Sequence, residues 1–186
     1  MAEAITVSAP VSGTDKTFEL STGLLAPQSQ GAVVARIGRT EALVTANGAD
    51  HTREGIDFFP LTVDVEEKMY AIGKIPGSFF RREGRPSDEA VLTCRLIDRP
   101  LRPSFADGYR NETQVVATII GADQVNPHDV VAMNGASAAL MLSGLPFDGP
   151  IGAVRLAYSV DGRWIPYPTF TEIDEATFQL VVAGRS

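Results

Sequence analysis

The sequence predicts an α+β domain, a mixed sheet packed with a few helices, with strands early in the chain and helices later. Three observations carry this. From Asp57 to Glu67, Phe59, Leu61, Val63 and Val65 alternate with Phe58, Thr62, Asp64 and Glu66, which is the period of a strand with one buried face. Gln114 to Gly121 (QVVATIIG) is almost wholly apolar, as a central strand covered on both faces would be. Two stretches, one opening at Ser87 and one at Asp129, have the caps and terminators of helices.

Taken in order, residues 1 to 15 read as a flexible leader, and residues 16 to 186 as the domain. Thr17 to Leu25, Ala32 to Ile37 and Glu41 to Ala46 are short strand-like runs, the last two joined as a hairpin through Gly38-Arg39-Thr40. After the strand at 57–67 comes a loop punctuated by Gly and Pro, from Ala71 to Pro86. Ser87 caps a helix with Asp88 and Glu89 in its first turn; Pro100 is expected to end it near Asp98. Val91, Leu92, Leu96 and Ile97 are its expected buried side. Asp129 is expected to cap a second helix reaching about Ser143, rich in Gly and Ala and stopped by Gly144 and Pro146. Ile151 to Val160, the Asp161-Gly162 turn and Arg163 to Ile165 form a second hairpin, and Ala176 to Ala183 a last strand. The chain then stops at Ser186 directly after that strand, which reads as the end of a fragment.

Composition narrows the function classes. At 186 residues and 44% hydrophobic, the chain can bury a core, and its net charge of −7 argues against a basic coat that holds nucleic acid over the whole surface. The single cysteine, Cys94, leaves no internal disulfide and reads as a reduced, buried thiol. With no signal peptide and no stretch of about 18 apolar residues, the expected setting is cytoplasmic.

Against the acidic background, Gly73 to Phe105 carries Lys74, Arg81, Arg82, Arg85, Arg95, Arg99 and Arg102, seven of the 16 Lys and Arg residues. Phe79 and Phe80 offer flat faces on which any base can stack, and Arg81 and Arg82 beside them offer forked donors for phosphate. The plainer alternative is that the aromatics pin the loop to the core and the arginines are solvated. Arg95 and Arg99, four apart on a helix, share a face and could clamp neighbouring phosphates; ion pairs with Glu89, Asp98 or a partner chain are their alternative. Arg85 and Arg102 are weaker candidates of the same kind. Asp64, Glu66 and Glu67 could suggest a metal site or an acid/base pair, but Asp64 and Glu66 alternate on the outer face of a strand and read as solvated; His51 and His128 read as surface histidines. Ser78 and Ser87 have no visible partner for nucleophilic catalysis, and no phosphate-binding Gly-rich motif occurs.

The run FFPLTVDVEEKMYAIGKIPGSFFRREGRPSDEAVLTCRLIDRPLRPSF, followed by QVNPHDVVAMNGASAALMLSGLPFDGPIGAVRLAY and LVVAG, resembles the first core domain of bacterial polynucleotide phosphorylase. The resemblance covers essentially the whole chain after the leader. Its N-terminal part is similar to actinobacterial members, some of which carry a guanosine pentaphosphate synthetase label. The resemblance implies a ribonuclease PH-like fold, present twice per subunit in a homotrimeric ring, with an RNA-degradation complex as a further partner. It implies a phosphate-dependent 3′→5′ exoribonuclease that degrades single-stranded RNA to nucleoside 5′-diphosphates, runs in reverse as a polymerase and serves mRNA degradation. Mg²⁺ or Mn²⁺ would assist, with inorganic phosphate as co-substrate. By similarity, Phe79, Phe80, Arg81 and Arg82 sit on a loop that narrows the ring's channel, and Arg95 and Arg99 contact RNA phosphates. The family's phosphate-binding serines and metal-binding aspartates belong to a second core domain outside these residues, as do the C-terminal RNA-binding modules. No catalytic or metal-binding residue is therefore expected in this chain, and alone it should be inactive. The alternative is a non-catalytic RNA-binding or ring-forming subunit that depends on a catalytic partner.

Overall fold

The computed structural model describes residues 3–77 and 79–185. Among the described residues nine strands and three helices run in order as β1 (Ile5–Pro10), β2 (Thr17–Thr22), β3 (Gly31–Ile37), β4 (Thr40–Gly48), β5 (Leu61–Glu67), α1 (Asp88–Leu101), β6 (Thr113–Gly121), α2 (Asp129–Ser143), β7 (Gly152–Tyr158), β8 (Trp164–Pro166), α3 (Phe170–Asp174) and β9 (Phe178–Gly184). Strands β1 to β6 form one sheet in the order β1-β2-β3-β4-β6-β5, and the last three form a second in the order β8-β7-β9. All pairs are antiparallel except β5 with β6, where Leu61 pairs with Thr113 and Glu67 with Ile119. A parallel pair needs a long crossover. Here the crossover contains the Gly/Pro loop and α1, so the arginine-rich segment is the connection between two neighbouring strands.

Helix α2 packs on β3 and β4, and α1 packs on β5 and against α2. The core lies between them. Val33, Ala35 and Ile37 of β3, Ala42, Val44 and Ala46 of β4, and Val115, Ala117 and Ile119 of β6 face Val130, Met133, Ala136 and Leu140 of α2. The small residues expected in α2 allow this approach. A Cβ on Gly135 would lie 2.8 Å from Val44 Cγ2, and one on Gly31 would lie 2.0 Å from the Ala139 carbonyl oxygen. Two polar residues of α2 tie in the second sheet. Asn134 donates to the Ala153 carbonyl at 2.9 Å and accepts from its N–H at 2.8 Å, while Ser137 Oγ accepts the Ile151 N–H at 2.8 Å.

Several details differ from the sequence reading. Within the expected leader, Ile5 to Pro10 is a strand paired residue for residue with β2. All six of its residues are exposed, so it is held by backbone hydrogen bonds at the sheet edge and leaves no alternating pattern to read. Helix α1 continues through Pro100 to Leu101. Pro100 gives up its own N–H bond and crowds the Leu96 carbonyl, but the Arg102 N–H still reaches the Asp98 carbonyl and closes the last turn. The buried stripe of α1 is Ala90, Thr93, Ile97 and Leu101, whereas Val91 and Leu92 are 47% and 66% exposed. The stripe follows the three- and four-residue spacing of one helix face rather than the largest apolar side chains. Asp129 is the first residue inside α2, and His128 occupies the cap position without a side-chain hydrogen bond. Among the described residues no helix is long and apolar enough to cross a membrane.

Candidate nucleic-acid interface

The crossover is held open by polar ties at its two ends. Ser87 has extended backbone, and its Oγ accepts the Ala90 N–H at 3.0 Å, as the sequence predicts for the cap of α1. The same hydroxyl donates to Glu67 Oε2 at 2.6 Å, joining the end of β5 to the start of the helix. The other Glu67 oxygen stands 3.2 Å from His128 Nε2, within ion-pair range, although that nitrogen is not aligned to donate a hydrogen bond. His128 is therefore turned inward beneath the loop, not out to solvent as the sequence reading has it. His51 is exposed.

Beyond β5 a short 3₁₀ turn (Met69–Ile72) closes on Gly73, whose φ of 70° is the left-handed conformation that suits glycine. Phe79 and Phe80 follow at 95% and 77% exposure, packed edge-to-face with ring centroids 5.4 Å apart. They do not pin the loop to the core; they present two apolar ring surfaces to solvent. Arg81 adopts φ 48°, also left-handed, and both Arg81 and Arg82 are exposed. They line an open groove of about 960 Å³ together with Arg85, Glu66, Lys68 and Glu83. Among the described residues neither Arg81 nor Arg82 has an ion-pair partner, whereas Lys68 is held between Glu66 (2.7 Å) and Glu83 (3.4 Å). The hydrogen bond from Lys68 to Glu66 raises the ammonium above its usual pKa. Ser78 lies outside the described residues.

Arg95 and Arg99 project from the outer side of α1 and are exposed. They border a smaller depression of about 390 Å³ with Leu92, Leu96, Asp129 and Arg155. The ion pairs weighed for them in the sequence do not form among the described residues. Asp98 is taken by Arg102, which contacts both its carboxylate oxygens at 3.1 and 2.7 Å. Arg102 also donates to the Phe59 and Leu61 carbonyls at 2.9 and 3.1 Å and lies over the Phe59 ring. Its guanidinium is thus committed to joining the end of α1 to the start of β5.

Asp64 and Glu66 are exposed, as read from the strand alternation. Cys94 is partly buried, and burial pushes its thiol pKa up, in keeping with an unreactive thiol. Among the described residues no group of three or more His, Cys, Asp or Glu side chains is placed to hold a metal ion. Glu67, weighed in the sequence with Asp64 and Glu66, instead ties β5 to Ser87 and His128, and two participants escaped the sequence reading: Glu83 and Arg155. Arg155 left a signal, since it shares the core-facing side of β7 with Ala153 and Ala157, an unusual place for a charge. It is ion-paired there with the buried Asp129. The arrangement as a whole offers exposed rings and unpaired guanidinium groups along one crossover, a surface able to stack bases and hold phosphates without reading sequence.

Comparison with known proteins bears on this surface. Residues 15–146 match the 3′ exoribonuclease family, domain 1. Curated relatives named polyribonucleotide nucleotidyltransferase include those of Parafrankia sp. (62% identical over 170 residues) and Salinispora arenicola (59% over 171 residues), covering 91% and 92% of the chain. The chain spans only 23% and 22% of those two relatives. The crystal structure of rice (Oryza sativa) Rrp46 shares the fold at TM-score 0.63 and 14% identity, covering 100% of this chain and 81% of that one.

Proposed function

The chain belongs to the 3′ exoribonuclease family, the RNase PH group, and from that premise we propose that it is the first core domain of a polynucleotide phosphorylase, made of residues 16–186 together with the edge strand β1 that joins their sheet. In this reading the longer enzyme cleaves single-stranded RNA from its 3′ end with inorganic phosphate, releases nucleoside 5′-diphosphates and can run in reverse. Phe79 and Phe80 stack bases, while Arg81, Arg82, Arg95 and Arg99 neutralise phosphates. The bond is broken by groups outside this chain, which also supply the serines for phosphate and the carboxylates for Mg²⁺ or Mn²⁺. Three copies in a ring would bring three such loops around one strand.

The observation that carries the reading is the contrast among the arginines. Arg36, Arg102, Arg155, Arg163 and Arg185 each have a carboxylate partner, while among the described residues Arg81, Arg82, Arg85, Arg95 and Arg99, all between Phe79 and the end of α1, have none; Arg39, Arg53 and Arg110, likewise without one, lie away from the exposed rings. Arginines left unpaired beside exposed aromatic rings in an acidic chain suit a polyanion with bases.

The test is binding of a fluorescein-labelled oligoadenylate at several salt concentrations. Affinity falls with salt, with a log–log slope of about −0.7 for each phosphate neutralised. Replacing Arg81 and Arg82 by Ala makes that slope shallower by roughly 0.7 per lost contact. Salt-independent binding, or an unchanged slope in the double variant, would remove these arginines from the RNA contact.

A further inference from the structure

The loop bearing Phe79 to Arg82 is closed at its neck by a carboxylate. Glu83 Oε1 accepts the Met69 N–H at 2.9 Å, and its other oxygen stands 3.4 Å from Lys68 Nζ. Lys68 is fixed in turn by Glu66. One side chain, directly after the arginine pair, therefore fastens the returning chain to the point where it left β5.

An acid at this position opposes the binding of a polyanion by simple charge, since it stands beside the guanidinium groups that would meet the phosphates. Arg81, two residues earlier, sits in a left-handed conformation that a side chain other than glycine keeps only where its surroundings hold it. Both facts are accounted for by one role. We propose that Glu83 is a positioning residue for RNA: it closes the loop neck on Met69 and Lys68 and so sets the direction in which Arg81 and Arg82 leave the domain. Its effect on RNA rests on the binding role given above to those arginines; the closure itself does not.

The sign of the effect separates this role from plain electrostatics. Glu83→Ala removes a negative charge, so an acid that merely repelled RNA would, when deleted, leave tighter binding. A positioning role gives the opposite result: oligoadenylate affinity falls by roughly tenfold, about 1.4 kcal/mol, and the salt slope becomes shallower although no cation has been lost. Glu83→Gln, which keeps an acceptor for the Met69 N–H, restores affinity to wild-type level or better. Equal or tighter binding by Glu83→Ala would overturn the proposal. Amide exchange reads closure without RNA: Glu83→Ala speeds exchange at Met69 while β6 keeps its protection. Unchanged exchange at Met69 would overturn closure even if binding fell. If Met69 exchange rises but Arg81→Ala/Arg82→Ala binds RNA as wild type does, closure stands and the RNA role of the arginines fails.

Discussion

Arg102 holds Asp98 through both carboxylate oxygens, at 3.1 and 2.7 Å, and thereby withdraws the acid that Arg95 and Arg99 would otherwise share on the same helix. Two kinds of arginine thus stand side by side: Arg95 and Arg99 free on α1, and Arg102 committed at its C-terminal end. Arg102→Ala removes the ion pair together with two bonds to backbone carbonyls, and should cost about 1–2 kcal/mol, since the group is partly exposed. For a chain of this size that is a fall in Tm of roughly 2–8 °C. Arg95→Ala/Arg99→Ala should leave Tm within about 1 °C, a surface change that breaks no contact, while weakening oligoadenylate binding. Thermal melts beside anisotropy titrations check both; a large Tm loss in the Arg95/Arg99 variant would make those residues structural.

The aromatic pair should behave differently from the arginines. Phe79→Ala/Phe80→Ala removes stacking worth about 1–3 kcal/mol per base and leaves the salt slope unchanged. The side chains are 95% and 77% exposed, so thermal stability should not move. A shallower slope in this variant would mean that the rings act by placing the arginines.

Asp123 offers a test of acid stability. Burial pushes its carboxyl up, but hydrogen bonds from the Asn126 backbone and side chain and from the Val125 and Arg39 backbone outweigh it, bringing the pKa from 3.8 down to about 2. Because the folded value is the lower one, the stabilisation is complete above the unfolded value and is lost as pH falls from near 3.8 through about 2. Solvent screening at this partly exposed position limits it to about 1 kcal/mol. Asp123→Asn should be less stable than wild type at neutral pH by that amount, and the gap between their urea midpoints should narrow as pH falls below about 4 and close near pH 2. A gap that stayed constant would place the loss in packing.

Glycine substitutions test how closely the layers meet. An added Cβ at Gly31 meets backbone, the Ala139 carbonyl carbon at 3.0 Å and its oxygen at 2.0 Å, which cannot rotate away. Gly31→Ala should cost roughly 3 kcal/mol or more. At Gly152 nothing lies within 4 Å of the added atom, so Gly152→Ala should be nearly neutral. Denaturant midpoints for the pair decide whether α2 and β3 are as tightly seated as described.

Incubated with poly(A), phosphate and Mg²⁺, the 186-residue chain should release no nucleoside diphosphate, as assayed by chromatography. Measurable phosphate-dependent release would put catalytic groups inside these residues.

Much of this architecture was legible before the structure. Period-two alternation marked β5 because one of its faces is buried, and the Gly38 turn marked the β3–β4 hairpin because its φ of 58° suits glycine. The cap at Ser87 was visible because a side-chain acceptor before two acids has few other uses. Strand β1 was not, since a wholly exposed edge imposes no pattern on its residues. The buried face of α1 was misread because Ala90 and Thr93 carry little hydrophobic signal, yet lie on the stripe that contains Ile97 and Leu101. The loop residues stood out by composition, but the work of Glu67 and Glu83 depends on segments 14 to 61 residues apart meeting at one point, and no local pattern encodes that.

The crossover between β5 and β6 has a consequence for how such a surface could change over time. Its two ends are pinned by hydrogen-bonded neighbouring strands, so residues can be added to or removed from the tip without shifting a single rung of the sheet. Doubling a flexible loop costs only about 0.6 kcal/mol in closure entropy. The distance to which the arginines extend is therefore adjustable almost independently of the body that carries them, a reach that selection could lengthen or shorten residue by residue.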